Sequence, residues 1–367
     1  MKVLQVNTVA HGVSPVATIM RQINAAAHAA GVDSHMVCGY GDGAGCDMVM
    51  SGSFGRLHAA LSARLCGNDG FGCKASTRRL VRYIQSLQPD LVHLHNAHGY
   101  YLNLPMLRKY LKDNNIPLVV TLHDDWWLTG RCAVPDGAEC QRWVDRKCSD
   151  CPHLNIYPAV WRKTAPRYKD WDGIFFVSPS HHAGRKFNAE VIPNGTDIRP
   201  TTPTLGRKPF ALAVANKWTP GKDFITLANV ARNLQMPVVV VGNLCGNVLA
   251  ENMIHAGMNL SQSALAQLYT DASVLISTSR SESYGMVVAE AIACGTPAVV
   301  RAGTAAQEIL GADDGFALDF KEMDATIKAI NKTSNMTPGG GNIRSVADMT
   351  DAYLKLYERV GGNLSML

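Results

Sequence analysis

Short apolar runs recur along the first half of the chain, and helix-like stretches separate them. The runs are KVLQVNTV, SHMVCGY, PDLVHLHN, IPLVVTLHD and GIFFVSPS. Runs of this length that are rich in Val, Ile and Phe predict buried strands. Helical periodicity extends to about Ala30, where Gly31 stops the first helix, and returns in NLPMLRKYLKDN. Strands that alternate with helices predict a parallel, doubly wound sheet.

The alternation restarts after a turn-rich segment, IPNG followed by RPTTPTLGRK, which predicts a linker. Further strands are predicted at FALAVAN, MPVVVVGN, SVLISTS and TPAVVRA, and further helices are predicted to begin near Asp223, Ser261, Tyr284 and Arg344. The sequence therefore predicts an α/β fold of two tandem doubly wound, Rossmann-like domains. Their ranges are 1–195 and 205–343, and residues 344–367 form a helix that packs back across both. Ligands of such sheets bind at the carboxyl ends of the strands, so we expect the site in the cleft between the domains.

Composition is that of an ordinary globular protein. The 367 residues are 47% hydrophobic and 18% charged. No stretch approaches the roughly 20 apolar residues that span a bilayer, and the N-terminus lacks the pattern of a secretory signal. We therefore expect a soluble, cytoplasmic protein.

Positive charge is concentrated in the first half. Residues 1–190 contain 21 Lys/Arg and 15 Asp/Glu, a net charge of +6, and the remainder carries −1. This excess fits unremarkable surface charge, nucleic-acid binding or contact with an anionic membrane. No recognition module or aromatic–basic interleaving supports nucleic acid, so none is predicted as a partner.

One basic cluster suggests peripheral contact with the inner face of the cytoplasmic membrane. Its cations flank apolar residues that would lie on an anionic leaflet if the segment were helical. Three glycines, Gly67, Gly70 and Gly72, weaken the helical assignment. The cations are Arg56, Arg64, Lys74, Arg78, Arg79 and Arg82, and the apolar residues are Leu57, Leu61, Leu65, Phe71 and Leu80.

Four of the ten cysteines lie close together in the loop 130–152: Cys132, Cys140, Cys148 and Cys151. The last two have the C-x-x-C spacing common in zinc sites, and a long loop needs something to order it. A structural zinc site is the prediction, and ordinary thiols or a redox pair at Cys148 and Cys151 are the alternatives. The other six, Cys38 and Cys46 among them, are expected to be free thiols, several of them in the core.

The segment from Glu282 to Glu290 has the most informative pattern in the chain. It predicts a strand, a short loop and a helix whose free N–H groups would meet phosphate and sugar oxygens. Gly285 would let a ligand approach the backbone closely. Two glutamates also suggest a glycosidase acid and nucleophile. Phosphate-binding features argue against that alternative.

This segment resembles the Glu, seven residues, Glu signature of the retaining family-4 glycosyltransferases of GT-B architecture. The aromatic-Gly pair is present as Tyr284-Gly285, and the continuation as Glu290-Ala-Ile-Ala-Cys-Gly-Thr-Pro297. A second element, usually Gly-Arg-x-x-x-x-Lys-Gly, is present as NKWTPGKD, in which Asn216 and Asp223 replace the glycines and Lys217 replaces the arginine. The first half is similar to cell-surface polysaccharide transferases of the colanic-acid type.

The resemblance implies a role for each matched position. Glu282 would bind hydroxyls of the donor sugar, and Glu290 would bind the ribose. Backbone amides from Tyr284 through Gly285 and Met286 to Val287 would contact the sugar and phosphate. Lys222 and Lys217 would stabilise the charge of the departing diphosphate. Lys217 would do so without the bidentate geometry of the arginine that the family usually has there. No catalytic metal, protein base or cofactor is then required.

The first half would complete the site. Gly12 follows the first strand, where the family often has two glycines, and would contact the diphosphate. His123 matches the family histidine that contacts the donor sugar, and Asp124 and His98 are weaker candidates for the acceptor. The chain is therefore predicted to move a hexosyl or N-acetylhexosaminyl group from a UDP- or GDP-sugar to a glycan, lipid-linked acceptor. A sugar-nucleotide epimerase of the same shape is the alternative.

Overall fold

Two parallel β-sheets, one in each half of the chain, organise the computed structural model. The structure describes residues 1–10, 14–66, 70–129, 132–133, 172–185, 187–205 and 209–362. The strand order is β3-β2-β1-β4-β5-β6-β7 in the first sheet and β10-β9-β8-β11-β12-β13 in the second. Both contain the 3-2-1-4-5-6 order of a doubly wound sheet. The predicted fold class, two Rossmann-like α/β domains, is confirmed.

Strands and helices alternate through the first half as the apolar pattern predicts. The strands are β1 (Lys2–Asn7), β2 (Asp33–Cys38), β3 (Met48–Val49), β4 (Leu91–Leu94), β5 (Leu118–Thr121), β6 (Ile174–Ser178) and β7 (Glu190–Val191). The helices are α1 (Pro15–Ala29), α2 (Ser53–Cys66), α3 (Lys74–Leu87), α4 (Leu104–Asp113), α5 (Trp126–Thr129) and α6 (His181–Gly184).

The second half repeats the arrangement. Its strands are β8 (Ala211–Lys217), β9 (Val238–Asn243), β10 (Met253–His255), β11 (Val274–Ser277), β12 (Ala298–Arg301) and β13 (Gly315–Leu318). Its helices are α7 (Phe224–Asn233), α8 (Gln262–Asp271), α9 (Met286–Ala293), α10 (Met323–Thr333) and α11 (Val346–Gly362). Two 3₁₀ turns, Pro220–Lys222 and Ala305–Ile309, lie at the strand ends that face the cleft.

Side-chain caps explain why several helices begin where they do. The hydroxyl of Ser14 accepts from the amide of Ala17, that of Ser261 from Ala264, and the amide oxygen of Asn103 from Met106. Each bond satisfies one of the N–H groups that a helix leaves free at its start. These capping residues, which resemble loop residues in the sequence, thus define where the helices begin.

Helix α11 leaves the second half and packs on the first sheet. Its Tyr353, Leu356 and Tyr357 are buried in one cluster with Val3 of β1 and Val119 of β5. At about 25 cal/mol per Å² of apolar surface, this burial ties the end of the described chain firmly to the first domain. None of the described helices, α11 included, is long and apolar enough to cross a membrane.

Two of the cysteines expected to be free are paired. Cys38 at the end of β2 and Cys46 form a disulfide across the loop that leads to β3. Backbone and side-chain bonds between Met36 and Asp47 bring the two ends of this loop together. The expectation of free thiols at these positions is wrong because sequence spacing did not show that the loop folds back on itself.

The basic, apolar cluster forms two helices rather than one. Helices α2 and α3 lie on either side of residues 67–73, where the glycines that weakened the helical assignment are found. Leu80 is fully buried in the core, and the partly buried Phe71 packs against that core, so neither is among the exposed apolar side chains. Leu57 and Leu61 on α2 are 69% and 55% exposed.

Candidate active site between the two sheets

A pocket opens where the carboxyl ends of the two sheets face each other. Its walls come from both halves of the chain, as the doubly wound topology predicts. It is lined by His123, Asp124, Asp125, Ala133, His182, Ala183, Thr219, Gly221, Lys222, Ser281, Glu282 and Ser283. Three of the predicted catalytic residues, His123, Lys222 and Glu282, are therefore brought together.

Lys222 and Glu282 form an ion pair on the wall contributed by the second half. The Lys222 Nζ donates to Glu282 Oε1 at 2.6 Å, and the side chains are 33% and 15% exposed. Two further bonds hold their loops together: the amide of Arg280 donates to the Gly221 carbonyl, and the Thr278 hydroxyl donates to the Lys222 carbonyl. The pair is thus fixed by backbone contacts on both sides.

Asp223 stands where the family has glycine, and its backbone shows why. Its φ of 52° lies in the left-handed region, which glycine adopts freely and aspartate tolerates. The side chain accepts from Arg280 Nε at 3.0 Å and from Arg301 Nη2 at 2.6 Å, and it caps α7 through Thr226. Burial alone would raise the pKa of Asp223, but the bonds from Arg280 and Thr226 outweigh it and lower that pKa.

Replacing Asp223 with glycine is expected to destabilise the protein by about 3 kcal/mol, the scale of a buried ion pair that loses one partner. The backbone conformation remains accessible to glycine, but Arg301 and the Arg280 loop lose their carboxylate. Urea unfolding measures the change. The matched control is Asp313→Asn, which alters an exposed carboxylate of the same domain. Equal stability of the two variants would contradict the role of this network.

Helix α9 presents an uncapped N-terminus. No side chain caps it, and no acidic residue lies in its first turn. Gly285 precedes it with φ 112°, and a Cβ there would lie 2.9 Å from the Cβ of Ala306. Backbone conformation and packing against the 3₁₀ turn Ala305–Ile309 both require this glycine. The N–H groups of Met286 and Val287 at the start of the helix suit an anion, whereas those of Val288 and Ala289 donate to the Gly285 carbonyl.

Glu290 lies farther along α9 and outside the pocket lining. Its Oε2 accepts from the hydroxyl of Tyr269 on α8 at 2.9 Å. Burial raises the pKa of Glu290, and the bond from Tyr269 opposes that effect. A carboxylate with one oxygen already bonded retains a second for another donor.

One other predicted contact, Lys217, is not part of this pocket. Lys217 is the last residue of β8 and its side chain is exposed. Gly12 lies outside the described residues, as do Cys140, Cys148 and Cys151. The described residues, Cys132 included, contain no group of three or more His, Cys, Asp or Glu that would hold a metal. Structural zinc therefore stays a prediction.

Histidines occupy the wall contributed by the first half. His95 follows β4, His123 follows β5, and the two rings stack with centroids 5.3 Å apart. Burial lowers the pKa of His123 to about 4, with Asp124 opposing and His98 reinforcing the shift. His98 Nε2 and Asp124 Oδ2 lie 2.6 Å apart, so these two form a pair of their own. His123 is neutral at pH 7.

Contacts across the cleft involve residues that the sequence did not single out. The carboxylate of Glu308 accepts from the amides of His181 and His182 at 2.8 and 2.6 Å. The Ser180 hydroxyl donates to the carbonyl of Ser283 at 2.7 Å. Glu308 lies in a segment without a recognisable motif, so no sequence signal marks it. The Ser180 bond attaches the loop that contains Glu282 to the first domain. The Glu308 bonds attach the 3₁₀ turn Ala305–Ile309 to it.

Gln5 and His95 were also missed as contributors to the site. Gln5 is fully buried in β1 and bonds to His95, which in turn bonds to His123. A signal for Gln5 was present, because a polar side chain in the middle of an apolar strand requires a buried hydrogen-bond partner. The identity of that partner depends on how β1 pairs with β4.

Comparison with known proteins gives matches over most of the chain. The profile described as Glycosyltransferase Family 4 matches residues 16–199, half of the chain, and the one described as Glycosyl transferases group 1 matches residues 219–339. The putative colanic acid biosynthesis glycosyl transferase WcaC of Escherichia coli (strain K12) is 28% identical over 337 residues. That alignment covers 80% of this chain and 81% of WcaC.

Solved structures share the fold. Anabaena Alr3699/HepE in complex with UDP and glucose superposes with a TM-score of 0.59 at 16% identity, and 100% of both chains is covered. A glycosyltransferase from Rickettsia africae ESF-5 superposes with a TM-score of 0.63 at 14% identity, with 98% of both chains covered. At such identities the likeness establishes the two-domain architecture.

Proposed function

Because the chain belongs to glycosyltransferase family 4, we propose that it moves a sugar from a UDP- or GDP-linked donor to a glycan acceptor with retention of anomeric configuration. The similarity to a protein named for colanic acid biosynthesis supports a growing, lipid-linked surface polysaccharide as the acceptor. The observation that carries the proposal is the Lys222–Glu282 pair, which lines one pocket together with His123.

The donor is proposed to lie across the wall of the second half. Lys222 binds the diphosphate, and the amides at the start of α9 bind its oxygens, because both are sites for negative charge. Glu282 accepts hydrogen bonds from sugar hydroxyls, and the free oxygen of Glu290 accepts from the ribose. Gly12 and Lys217 are proposed as further diphosphate contacts.

Donor binding exchanges one ion pair for two sets of contacts. Without donor, the 2.6 Å bond between Lys222 and Glu282 satisfies both charges. With donor, phosphate replaces the carboxylate on Lys222, and hydroxyls replace the ammonium on Glu282. Both charged groups keep hydrogen-bond partners in this partly buried pocket, where a charge without such partners would be costly.

Transfer then breaks the bond between the anomeric carbon and the phosphate oxygen. The acceptor oxygen forms its new bond on the same face, and its proton goes to the departing phosphate oxygen. The negative charge that develops on the nucleoside diphosphate is stabilised by Lys222 and the start of α9. This route requires no metal and no protein base.

Two measurements on the purified protein test this function. UDP or GDP, and not an oligonucleotide of equal charge, is expected to raise the melting temperature, since only a ligand of the folded state stabilises it. A panel of nucleotide sugars, assayed for transfer and slow hydrolysis, then identifies the base and sugar. Stabilisation by the oligonucleotide alone would contradict the proposal.

Peripheral contact with an anionic membrane is also proposed, through a surface of α2 and α3 that we call the basic–apolar face. Leu57 and Leu61 are exposed one turn apart on α2. The exposed cations of this face are Arg56, Lys74, Arg78, Arg79 and Arg82. A protein bound to the membrane through this face would be close to an acceptor that is linked to a lipid. Each well-placed cation contributes about 1 kcal/mol near an anionic leaflet.

The double variant Leu57→Glu/Leu61→Glu is expected to bind anionic liposomes at least tenfold more weakly, because it replaces two inserting side chains with charges that the leaflet repels. Sedimentation at low salt measures the bound fraction. Ile225→Glu is the matched control, since Ile225 is 74% exposed on α7 of the other domain. Equal loss in the control, or no sedimentation of the unaltered protein, would exclude this face.

A further inference from the structure

A chain of hydrogen bonds connects the interior of the first sheet to His123. Gln5 Oε1 lies 3.1 Å from His95 Nε2, and His95 Nδ1 lies 3.0 Å from His123 Nε2. Gln5 is fully buried and His95 is 1% exposed, so water does not compete for these bonds. His123 is the end of the chain that reaches the pocket.

The order of donors and acceptors follows from the first bond. Gln5 Nε2 donates to the Ser34 hydroxyl at 3.3 Å, which directs Oε1, a pure acceptor, at His95. His95 Nε2 must therefore carry the hydrogen. Burial lowers the pKa of His95 well below its usual value, so the ring is neutral and its Nδ1 is an acceptor. Its partner, His123 Nε2, must then be the donor.

A second cluster holds the His95 ring without joining this chain. His93 lies against it with ring centroids 4.1 Å apart. His93 itself bonds to the Tyr357 hydroxyl at 2.6 Å and to the Thr121 hydroxyl at 2.8 Å. Helix α11 thus holds the His93 ring in place against His95 through Tyr357. Both ring nitrogens of His93 are already hydrogen-bonded, so His93 does not bond to His95. The directions of the hydrogen bonds between Gln5 and His123 are therefore set by the Gln5 amide and not by His93.

We propose that Gln5 and His95 are positioning residues that hold His123 in its Nε2–H tautomer, so that its Nδ1 faces the cleft as an acceptor for a hydroxyl of the sugar. No atom in the part of the chain that the structure describes bonds to His123 Nδ1, which is left for a ligand. Phosphate oxygens carry no hydrogen at neutral pH, so this nitrogen selects hydroxyls over phosphate. The proposal that this hydroxyl belongs to the donor sugar rests on the proposed function.

The tautomer is measurable without any substrate. In the full-length protein labelled with [¹⁵N]histidine, long-range ¹H–¹⁵N correlation spectra separate ring nitrogens that carry hydrogen from those that do not. His123→Gln assigns the signals. The expected result is hydrogen on Nε2 and none on Nδ1 for both His95 and His123. Hydrogen on His123 Nδ1 would overturn the proposal.

Two variants test whether Gln5 sets the directions of the hydrogen bonds that lead to His123. Gln5→Met removes the acceptor with little change in volume, and it is expected to give mixed tautomers at His123 and about a tenfold loss of kcat/KM for the donor, the scale of one hydrogen bond to a ligand. Ser34→Ala keeps the Gln5 acceptor but removes the bond that orients its amide, and it should give a smaller fraction of the second tautomer and a smaller loss of kcat/KM than Gln5→Met. A Gln5→Met spectrum identical to that of the unaltered protein would refute the role of Gln5.

These outcomes are distinguishable from a failure of the proposed function. If the tautomers are as expected and the protein transfers no sugar, the positioning role of Gln5 and His95 stands and the proposed function fails. If the protein is an active transferase with hydrogen on His123 Nδ1, the proposed function stands and the positioning role fails. The spectra and the transfer assay therefore report on separate statements.

Discussion

Lys222→Met is expected to lower the rate of sugar transfer by about a thousandfold, because it removes a cation placed where charge develops on the leaving group. The fold should persist, since one-third of the Lys222 side chain is exposed and its loop is held by backbone bonds. Glu282→Gln should cost a similar factor through lost contacts to the sugar. Initial rates with the donor identified in the screen, together with the melting temperature, measure both effects.

One lysine serves as the control for this prediction, and the proposed diphosphate contact Lys217 gives a graded comparison. Lys328→Met changes an exposed lysine on α10 and should leave transfer unchanged. Lys217→Met should cost much less than Lys222→Met, because Lys217 does not line the pocket. Near-normal transfer by a folded Lys222→Met protein would contradict the proposed mechanism. An equal loss in Lys217→Met would show that Lys217 stabilises the diphosphate as strongly as Lys222 does.

Acidification from pH 6.5 towards 4 is expected to destabilise the protein steeply. Burial lowers the pKa of His93 to about 3 and that of His123 to about 4, and it lowers that of His95 well below 6.5. The unfolded chain therefore takes up these protons first, so the free energy of unfolding is greatest above pH 6.5 and falls as the pH drops. Each histidine contributes about 1.4 kcal/mol per pH unit, and the three together about 4.

Urea unfolding at pH 7.5, 6.0 and 5.0 measures this slope. His93→Gln removes one buried titrating group and should reduce the slope by about 1.4 kcal/mol per pH unit. His28→Gln, which changes an exposed histidine on α1, should leave the slope as it is. A free energy of unfolding that is constant from pH 7.5 to 5.0 would show that these rings are not buried in their neutral form.

Much of the fold and part of the site could be predicted from local pattern. Apolar runs located the strands, and the topology of parallel sheets brought the ends of β5, β8 and β11 to one cleft. His123, Lys222 and Glu282 follow these strands, so a motif and a strand end were enough to place them together. The family assignment, predicted from the segment containing Glu282 and Glu290, is confirmed by the profile matches.

What could not be predicted depends on pairs that are far apart in the chain. Tyr357 reaches His93 across 264 positions, and Glu308 reaches His182 across 126. Neither residue is part of a motif, and no local rule states which sheet α11 will cover. Asp223 was noted only as a departure from glycine, since its two arginine partners become neighbours only when β8, β11 and β12 assemble.

The return of α11 to the first sheet has a consequence for the order in which the protein matures. A ribosome completes the strands β1 to β7 long before it reaches residue 346, at roughly 5–20 residues per second. Until then the face of β1, β4 and β5 that later holds Tyr353 and Tyr357 lacks its cover. The second domain contains all of its own sheet by residue 318 and can mature first. Translation thus begins with the first domain, but the second domain is the first to be completed. A nascent chain stalled near residue 340 would expose an apolar, histidine-bearing surface to chaperones.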